Sequence, residues 1–182
     1  MLISYVARLA TTVVHGWLHG RQGLLEEFVL PMRVWPADID AYGHLNNGRF
    51  LTLMDMGRWS YGIRTPLFRE SLKRKWRPVL AAATVQFRRE LGLFKSFNLV
   101  TRLAHWDERS FYFEHRLERG DTLYARAFVR GVTKAGTRRV SPAEMLEVLG
   151  HREPPPAAPP ELTQWIASWG RPALADPVVS QT

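Results

Sequence analysis

The sequence predicts an α+β fold in which a curled antiparallel sheet wraps around one long central helix, with short helical appendages at both ends. The helix is indicated by residues 47–64, where apolar side chains recur at helical spacing on two sides. The sheet is indicated by four strand-like segments between residues 78 and 132, joined by short turns that favour antiparallel neighbours. An apolar helix followed by an uninterrupted sheet is best buried if the sheet curls around it.

Size and composition limit the classes of protein that the chain can represent. A length of 182 residues suits one domain with appendages, and the absence of cysteine excludes disulfides, thiolate metal sites and a cysteine nucleophile. The net charge of +8 indicates an anionic partner: nucleic acid, an acidic membrane surface, or a phosphate-bearing small molecule such as coenzyme A. The basic residues are scattered and no zinc-finger spacing accompanies them, so nucleic-acid binding is not expected. Three regions are expected in the chain. They are an N-terminal amphipathic helix in residues 1–24, a central domain in residues 25–150, and a proline-rich spacer with a short helix and a tail in residues 151–182.

The N-terminal helix has two interpretations. Residues 1–19 carry apolar side chains at helical spacing with Arg8 as the one firm charge, and they are too short and too interrupted for a membrane span. The helix packs on the domain or on a partner subunit in the first interpretation. In the second, residues 1–20 make peripheral contact with a membrane, because Trp17 suits the headgroup boundary. The expected location is cytoplasmic, with membrane association under the second interpretation.

The other elements follow from local signals. A strand is predicted over residues 28–35, and Pro31 places it at a sheet edge or a bulge. The central helix has Asn46 or Asn47 as its N-cap and ends near residue 64, because a proline follows two residues later. The remaining predicted elements are a short helix over residues 67–76, strands over residues 78–90, 97–106, 110–117 and 123–132, and a helix from residue 142 to about 149.

The C-terminal region begins with a stiff spacer over residues 154–160, which is rich in proline. Beyond the spacer, an apolar stripe is expected to dock on this domain or on a neighbour, and the last dozen residues are expected to be loose. The stripe consists of Leu162, Trp165, Ile166 and Trp169.

The loop before the central helix carries the candidate catalytic residues. Asp40, His44 and Asn46 can handle protons or oxyanions, and Gly43 lets the backbone turn and a substrate come close. The helix start at Asn47 presents free backbone N–H groups that can stabilise a developing oxyanion. Structural interpretations compete: Asp40 can bind backbone N–H groups in a turn, His44 can hold the loop, and at least one asparagine can serve only as a cap.

Candidate substrate-binding residues lie on the helix and on the following strand. Asp55 is three residues before Arg58, so an ion pair within the helix is the favoured interpretation, and a contact with the site is the other. Further substrate-binding candidates are Gly43 in the loop, Thr84 and Gln86 on one strand face, and Arg88 and Arg89, whose charges suit coenzyme A phosphates.

The order of these elements resembles a known family. A strand, the loop DIDAYGHLNN, a buried helix and an antiparallel sheet resemble the hot-dog-fold acyl-CoA thioesterases of the 4-hydroxybenzoyl-CoA type over residues 28–135. The segments DIDAYGHLNNGRFL, HWDERSFYFEHRL and PPELTQWI are similar, more narrowly, to the thioesterase superfamily member 6 group, whose members carry an N-terminal hydrophobic anchor segment.

The resemblance implies hydrolysis of an acyl thioester of coenzyme A or of acyl carrier protein, in fatty acid metabolism, without a metal or a bound cofactor. Asp40 stands at the position of the catalytic carboxylate, as general base or nucleophile, and the N–H near Asn47 polarises the carbonyl. His44 and Asn46 stand where related hydrolases place further polar groups. The plant-type acyl-carrier-protein enzymes of similar motif add a cysteine, which this chain lacks.

Two alternatives to hydrolysis stay open. One is a non-catalytic hot-dog protein that binds acyl-CoA or lipid, and the other is a dehydratase of 3-hydroxyacyl thioesters. A curled sheet leaves its edges exposed, and pairing two copies edge to edge covers them. The expected assembly is therefore a homodimer or a homotetramer built as a dimer of dimers.

Overall fold

The structure, a computed structural model, describes residues 2–168 and the side chains from residue 5 onward. Two short elements occur that the sequence did not predict, a 3-10 turn at Pro36–Asp38 and a sixth strand. The helices and strands are, in chain order, α1 (Leu2–Leu18), β1 (Phe28–Arg33), α2 (Asn47–Arg64), α3 (Leu67–Arg74), β2 (Trp76–Phe87), β3 (Ser96–Trp106), β4 (Phe111–Arg119), β5 (Thr122–Ala135), β6 (Arg138–Val140), α4 (Pro142–Val148) and α5 (Pro160–Ser168).

The strands form one antiparallel sheet in the order β1-β3-β4-β5-β2, with β6 paired to β5. β1 lies at one edge of this path, so the expectation that Pro31 marks an edge strand is confirmed. β2 forms the opposite edge, although it directly follows the helices in the chain. In the chain, the loop before α2 is separated from the connection after β2 by α2, α3 and β2.

The main core lies between α2 and the sheet. Leu53, Met54 and Met56 of α2 are completely buried, and they pack with Leu99 of β3 and Leu117 of β4. Apolar side chains leave α2 in several directions, so the helix is stable only where other elements enclose it. The predicted architecture, a curled antiparallel sheet around one central helix, is confirmed.

The prediction was wrong at the boundary between α3 and β2. The short helix, expected to reach residue 76, ends at Arg74, because Lys75 adopts a left-handed backbone with φ of 56°. Trp76 begins β2 instead and is buried against Val140. At its other end β2 stops at Phe87, three residues before the expected end. Tertiary burial of Trp76 outweighs the local helical pattern.

Other strand boundaries also differ from the prediction. β5 runs on to Ala135 and turns back through Gly136, whose φ of 61° suits glycine, to form β6. β1 ends at Arg33 and not at residue 35, because the chain enters the 3-10 turn Pro36–Asp38. This turn delivers the chain to the candidate site.

Helix α1 packs on the domain. Tyr5 and Leu9 lie against the main core. Gly16 approaches α2 so closely that a Cβ at this position would lie 2.9 Å from Ile63 Cγ2. The opposite face of α1 is apolar and open, and 77% of Trp17 is exposed. Among the helices within residues 2–168, none has both the length and the apolar character that crossing a bilayer requires.

Helix α5 covers part of the outer face of the sheet. It begins at Pro160, inside the predicted spacer, and its Leu162 is completely buried against Tyr112 and Phe128. The apolar stripe therefore docks on this domain, which was one of its two expected positions. Trp169 and the last dozen residues lie outside the described residues.

Candidate active site

Asp40 lies in a tight turn within residues 39–47, and we call this segment the Asp40 loop. Its Oδ1 accepts the N–H of Tyr42 at 2.9 Å, and its backbone bonds to Gly43 and His44. Gly43 allows the turn, because its φ is 80°. Within residues 2–168, Oδ2 of Asp40 has no hydrogen-bond donor. The carboxylate thus combines a structural contact through one oxygen with a second oxygen that is open for chemistry.

The loop ends at the start of α2, where the two asparagines have different roles. Asn46 is the N-cap: its side-chain oxygen accepts the N–H of Gly48 at 2.9 Å, and its carbonyl accepts the N–H of Arg49 at 2.9 Å. The N–H of Asn47 is left without an acceptor in the described part of the chain. This donor at the positive end of α2 can stabilise an oxyanion.

The connection between β2 and β3 is fixed beside the Asp40 loop. The N–H of Leu45 donates to the carbonyl of Leu91 at 2.8 Å, and His44 forms an antiparallel bridge with Gly92. His44 Nε2 lies 3.0 Å from Glu90 Oε2, and 39% of the His44 side chain is exposed. These contacts bring the end of β2 to the helix start.

One pocket of about 500 Å³ brings together half of the predicted site residues. Its polar lining includes the predicted catalytic residues Asp40, His44 and Asn47, and the predicted phosphate-binding residues Arg88 and Arg89. Its apolar lining consists of Leu45, Phe50, Phe87 and Leu91. The pocket therefore combines a carboxylate, a candidate oxyanion donor and two cationic side chains with an apolar wall.

The remaining predicted residues stand apart from this lining. Thr84 and Gln86 do not belong to the described pocket lining. Thr84 is half-buried on β2, and Gln86 is exposed. Gln86 does contact the site indirectly, because its Oε1 accepts from Arg88 Nη2 at 2.9 Å. Asn46 and Gly43 support the loop backbone and do not belong to the described pocket lining.

Asp55 forms the expected ion pair within α2. Its Oδ1 accepts from Arg58 Nη2 at 2.9 Å, and its Oδ2 accepts the hydroxyl of Tyr5 at 2.6 Å. Burial and the adjacent Asp55 raise the pKa of Tyr5. Arg58 extends this network to His115, since Nη1 lies 3.2 Å from His115 Nε2. Asp55 therefore joins α1 to the core at a distance from the described pocket lining.

Sequence reasoning missed a buried charge cluster, which we call the Asp38 cluster and define as Arg8, Asp38 and Arg49. Asp38 is 0% exposed, binds Arg8 Nη2 through Oδ2, and accepts from Arg49 Nη2 at 2.9 Å through Oδ1. The N–H of Trp35 also donates to Asp38 Oδ2 at 2.9 Å. The lone charge of Arg8 in an apolar helix was the available signal, because such a charge needs a buried partner.

The second missed group is His115, which is completely buried on β4. Thr101 Oγ1 lies 2.9 Å from its Nδ1. Burial lowers the pKa of His115 well below its usual value, and repulsion from Arg58 lowers it further. His115 is therefore neutral in the folded protein near neutral pH.

The depressed pKa of His115 predicts a loss of stability on acidification. Below about pH 6.5 the unfolded chain protonates this histidine and the folded protein does not, so stability is complete above that pH and declines as pH falls below it. The slope for one proton is about 1.4 kcal/mol per pH unit. Urea denaturation between pH 7.5 and 5 should show a shallower decline in His115→Gln, and equal slopes in both proteins would contradict this prediction.

The comparisons with known proteins agree with this fold. The family model described as Thioesterase-like superfamily matches residues 34–169. Protein THEM6 of Danio rerio is 35% identical over 144 residues, which are 79% of this chain and 70% of the relative.

Two solved structures show the same fold at low sequence identity. The probable thioesterase YbaW from Escherichia coli has a TM-score of 0.62 and 18% identity, covering 66% of this chain and 95% of the other. A mutant 4-hydroxybenzoyl CoA thioesterase complexed with 4-hydroxybenzoyl CoA has a TM-score of 0.59 and 16% identity, covering 68% and 98%. Both the resemblance and the hot-dog fold are confirmed, and the chain belongs to the thioesterase-like superfamily as a homologue of protein THEM6.

Proposed function

We propose that this protein hydrolyses an acyl thioester of coenzyme A in the pocket that contains Asp40 and the start of α2. The observation that carries the proposal is the joint presence of a carboxylate with an open oxygen and an open N–H, at Asn47, in one pocket lining. Hydrolysis of a thioester needs both a base or nucleophile and a donor for the oxyanion.

The chemistry follows from these two groups. Asp40 takes a proton from water, and the water oxygen attacks the thioester carbonyl carbon. The carbonyl oxygen gains negative charge and is stabilised by the N–H of Asn47. When the carbon–sulfur bond breaks, the thiol of coenzyme A leaves with the proton and the free acid remains. In the nucleophilic version the Asp40 carboxylate attacks the carbonyl carbon and expels the coenzyme A thiolate, which takes a proton from solvent. Water then hydrolyses the resulting anhydride, which releases the acid and restores Asp40.

The substrate class follows from the rest of the lining. The exposed guanidinium groups of Arg88 and Arg89 suit the phosphates of coenzyme A, and Gln86 orients Arg88. Phe50 and Leu91 offer the acyl group an apolar wall. Asp55 binds Arg58 and Tyr5, so we assign it to structure and not to substrate.

We further propose that two copies pair along β2. This strand is a sheet edge and exposes Leu80 (45%) and Phe87 (47%), which is unusual for an edge that stays solvated. Phe87 also lines the pocket, so a second copy, in a homodimer or dimer of dimers, would close one of its walls. Analytical ultracentrifugation tests this, and a monomer at assay concentration would contradict it.

We propose peripheral membrane contact of a cytoplasmic protein through the outer face of α1. This face exposes Val6, Val14, Trp17 and Leu18 beside the basic Arg21. Co-sedimentation with anionic lipid vesicles tests the contact, and a protein that stays in the supernatant would contradict it.

The proposed activity is tested with a panel of acyl-CoA esters of increasing chain length and one aromatic ester. The purified protein should release free coenzyme A thiol from at least one class, detected with a thiol reagent. We expect apolar acyl groups to be preferred because of the apolar wall. Absence of thiol release from every ester, together with measurable binding, would instead support a non-catalytic acyl-CoA-binding protein.

A further inference from the structure

We propose that Arg8 of the N-terminal helix is a positioning residue for the candidate active site, acting through Asp38 on the Asp40 loop. The inference deepens the proposed function and depends on it for its kinetic readout. It assigns α1, which precedes the family-matched residues 34–169, a role in the site itself.

Asp38 is held in place by several elements of the fold. Its carboxylate is fully buried and is held from three directions: by Arg8 of α1, by Arg49 of α2, and by the N–H of Trp35, the residue before the 3-10 turn. Arg8 Nη2 also donates to the carbonyl of Arg33 at the end of β1, at 3.1 Å. A buried carboxylate needs such partners, because an unpaired charge in the interior is strongly unfavourable.

Backbone hydrogen bonds connect Asp38 to the candidate catalytic groups. The carbonyl of Asp38 accepts the N–H of Asn46 at 2.9 Å, and Ile39 and Leu45 form an antiparallel bridge. Asp40 N–H then donates to the carbonyl of His44 at 3.0 Å. The two sides of the Asp40 loop are therefore a short ladder, with the Asp38 cluster at its base and the Asp40 turn at its tip.

Arg49 binds the other side of the ladder to Asp38. Arg49 lies in the first turn of α2, two residues after Asn47, and its Nη2 and Nε bind the same Asp38 oxygen at 2.9 and 3.3 Å. Asp38 thereby fixes the distance between the carboxylate turn and the helix-start N–H. Without Arg8, Asp38 keeps Arg49 and the N–H of Trp35 but loses its link to α1 and to the end of β1, so the base of the ladder can shift. Displacements of about 1 Å can slow a reaction by about 100-fold.

A second contact of α1 supplies a matched control. The hydroxyl of Tyr5 donates to Asp55 Oδ2 at 2.6 Å, away from the loop. Tyr5→Phe removes a bond between α1 and α2 without touching Asp38. A simple loosening of α1 would therefore affect Tyr5→Phe and Arg8→Met alike, whereas a positioning role affects the loop only in Arg8→Met.

The experiment uses the full chain as wild type, Arg8→Met, Arg8→Lys and Tyr5→Phe. Kinetics are measured with an acyl-CoA that the wild type hydrolyses, and amide hydrogen exchange is measured over residues 38–47. Arg8→Met should lower kcat about 10-fold with KM within about twofold, and Arg8→Lys should recover part of the loss. Exchange in residues 38–47 should rise about 10-fold in Arg8→Met and stay near wild type in Tyr5→Phe.

The outcomes separate this inference from the proposed function. If the wild type hydrolyses no ester, the proposed function fails, and hydrogen exchange still decides the positioning role. Equal exchange in wild type and Arg8→Met, or equal changes in Arg8→Met and Tyr5→Phe, would overturn the inference. If Arg8→Met does not fold, Arg8→Lys decides whether Arg8 positions the loop. A smaller rise in exchange that is confined to residues 38–47 would support the positioning role. Unchanged exchange in residues 38–47 would overturn it.

Discussion

Replacing Asp40 with asparagine is expected to slow thioester hydrolysis by roughly 100-fold or more. Asparagine keeps the shape of the side chain, and its amide oxygen can still accept the N–H of Tyr42, so the Asp40 loop keeps its turn. It carries no negative charge, so it is neither an effective base nor an effective nucleophile. We therefore expect the loss in kcat, with acyl-CoA affinity near that of the wild type.

Thiol release from the best acyl-CoA substrate measures this effect. Asp121→Asn is a matched control, because it makes the same chemical change at an exposed position in the turn between β4 and β5. The control should retain the wild-type rate. An Asp40→Asn rate within a few-fold of wild type would remove Asp40 from the mechanism.

The second large effect is expected at Gly57, in the middle of α2. A Cβ at this position would lie 2.2 Å from Thr101 Oγ1 and 3.0 Å from Leu99 Cδ2. Thr101 cannot move away freely, because its hydroxyl is hydrogen-bonded to the buried His115. Gly57→Ala must therefore push α2 away from the sheet, and overpacking of this kind costs about 1–3 kcal/mol of unfolding free energy.

Gly62 in the same helix provides the control. A Cβ there meets no atom within 4 Å, so Gly62→Ala should gain helix propensity of about 1 kcal/mol and stabilise the protein. Urea denaturation of both variants checks the pair. Stabilisation by both variants would show that α2 does not approach the sheet as closely as the structure indicates.

The elements that were predicted correctly have local signals. The central helix follows from apolar spacing, and its N-cap follows from the preference for asparagine at that position, which Asn46 satisfies. The alternating strands were also placed well. Trp76 was assigned to a helix because its neighbours are helical, and no local pattern shows that it is buried against Val140. Local sequence patterns therefore do not predict helix and strand boundaries that are set by tertiary burial.

Local sequence spacing accounts for part of the candidate site and for none of its long-range contacts. Asp40, His44 and Asn47 are close in the chain, and the structure places all three in one pocket lining. The contact of this loop with the connection after β2 depends on the bond from Leu45 to Leu91, which joins residues far apart in sequence. The pairing of Arg8 with Asp38 spans 30 residues and depends on how α1 docks, so the sequence alone could not predict it.

A single-turnover measurement on wild type and Asp40→Asn tests most directly whether the pocket hydrolyses acyl-CoA at Asp40. Protein in excess of one radiolabelled acyl-CoA is followed both for bound ligand and for released acid. We predict that both proteins bind the ester equally and that Asp40→Asn releases the acid roughly 100-fold more slowly. Binding by the wild type without release of acid, or equal rates of release in the two proteins, would contradict the proposed mechanism.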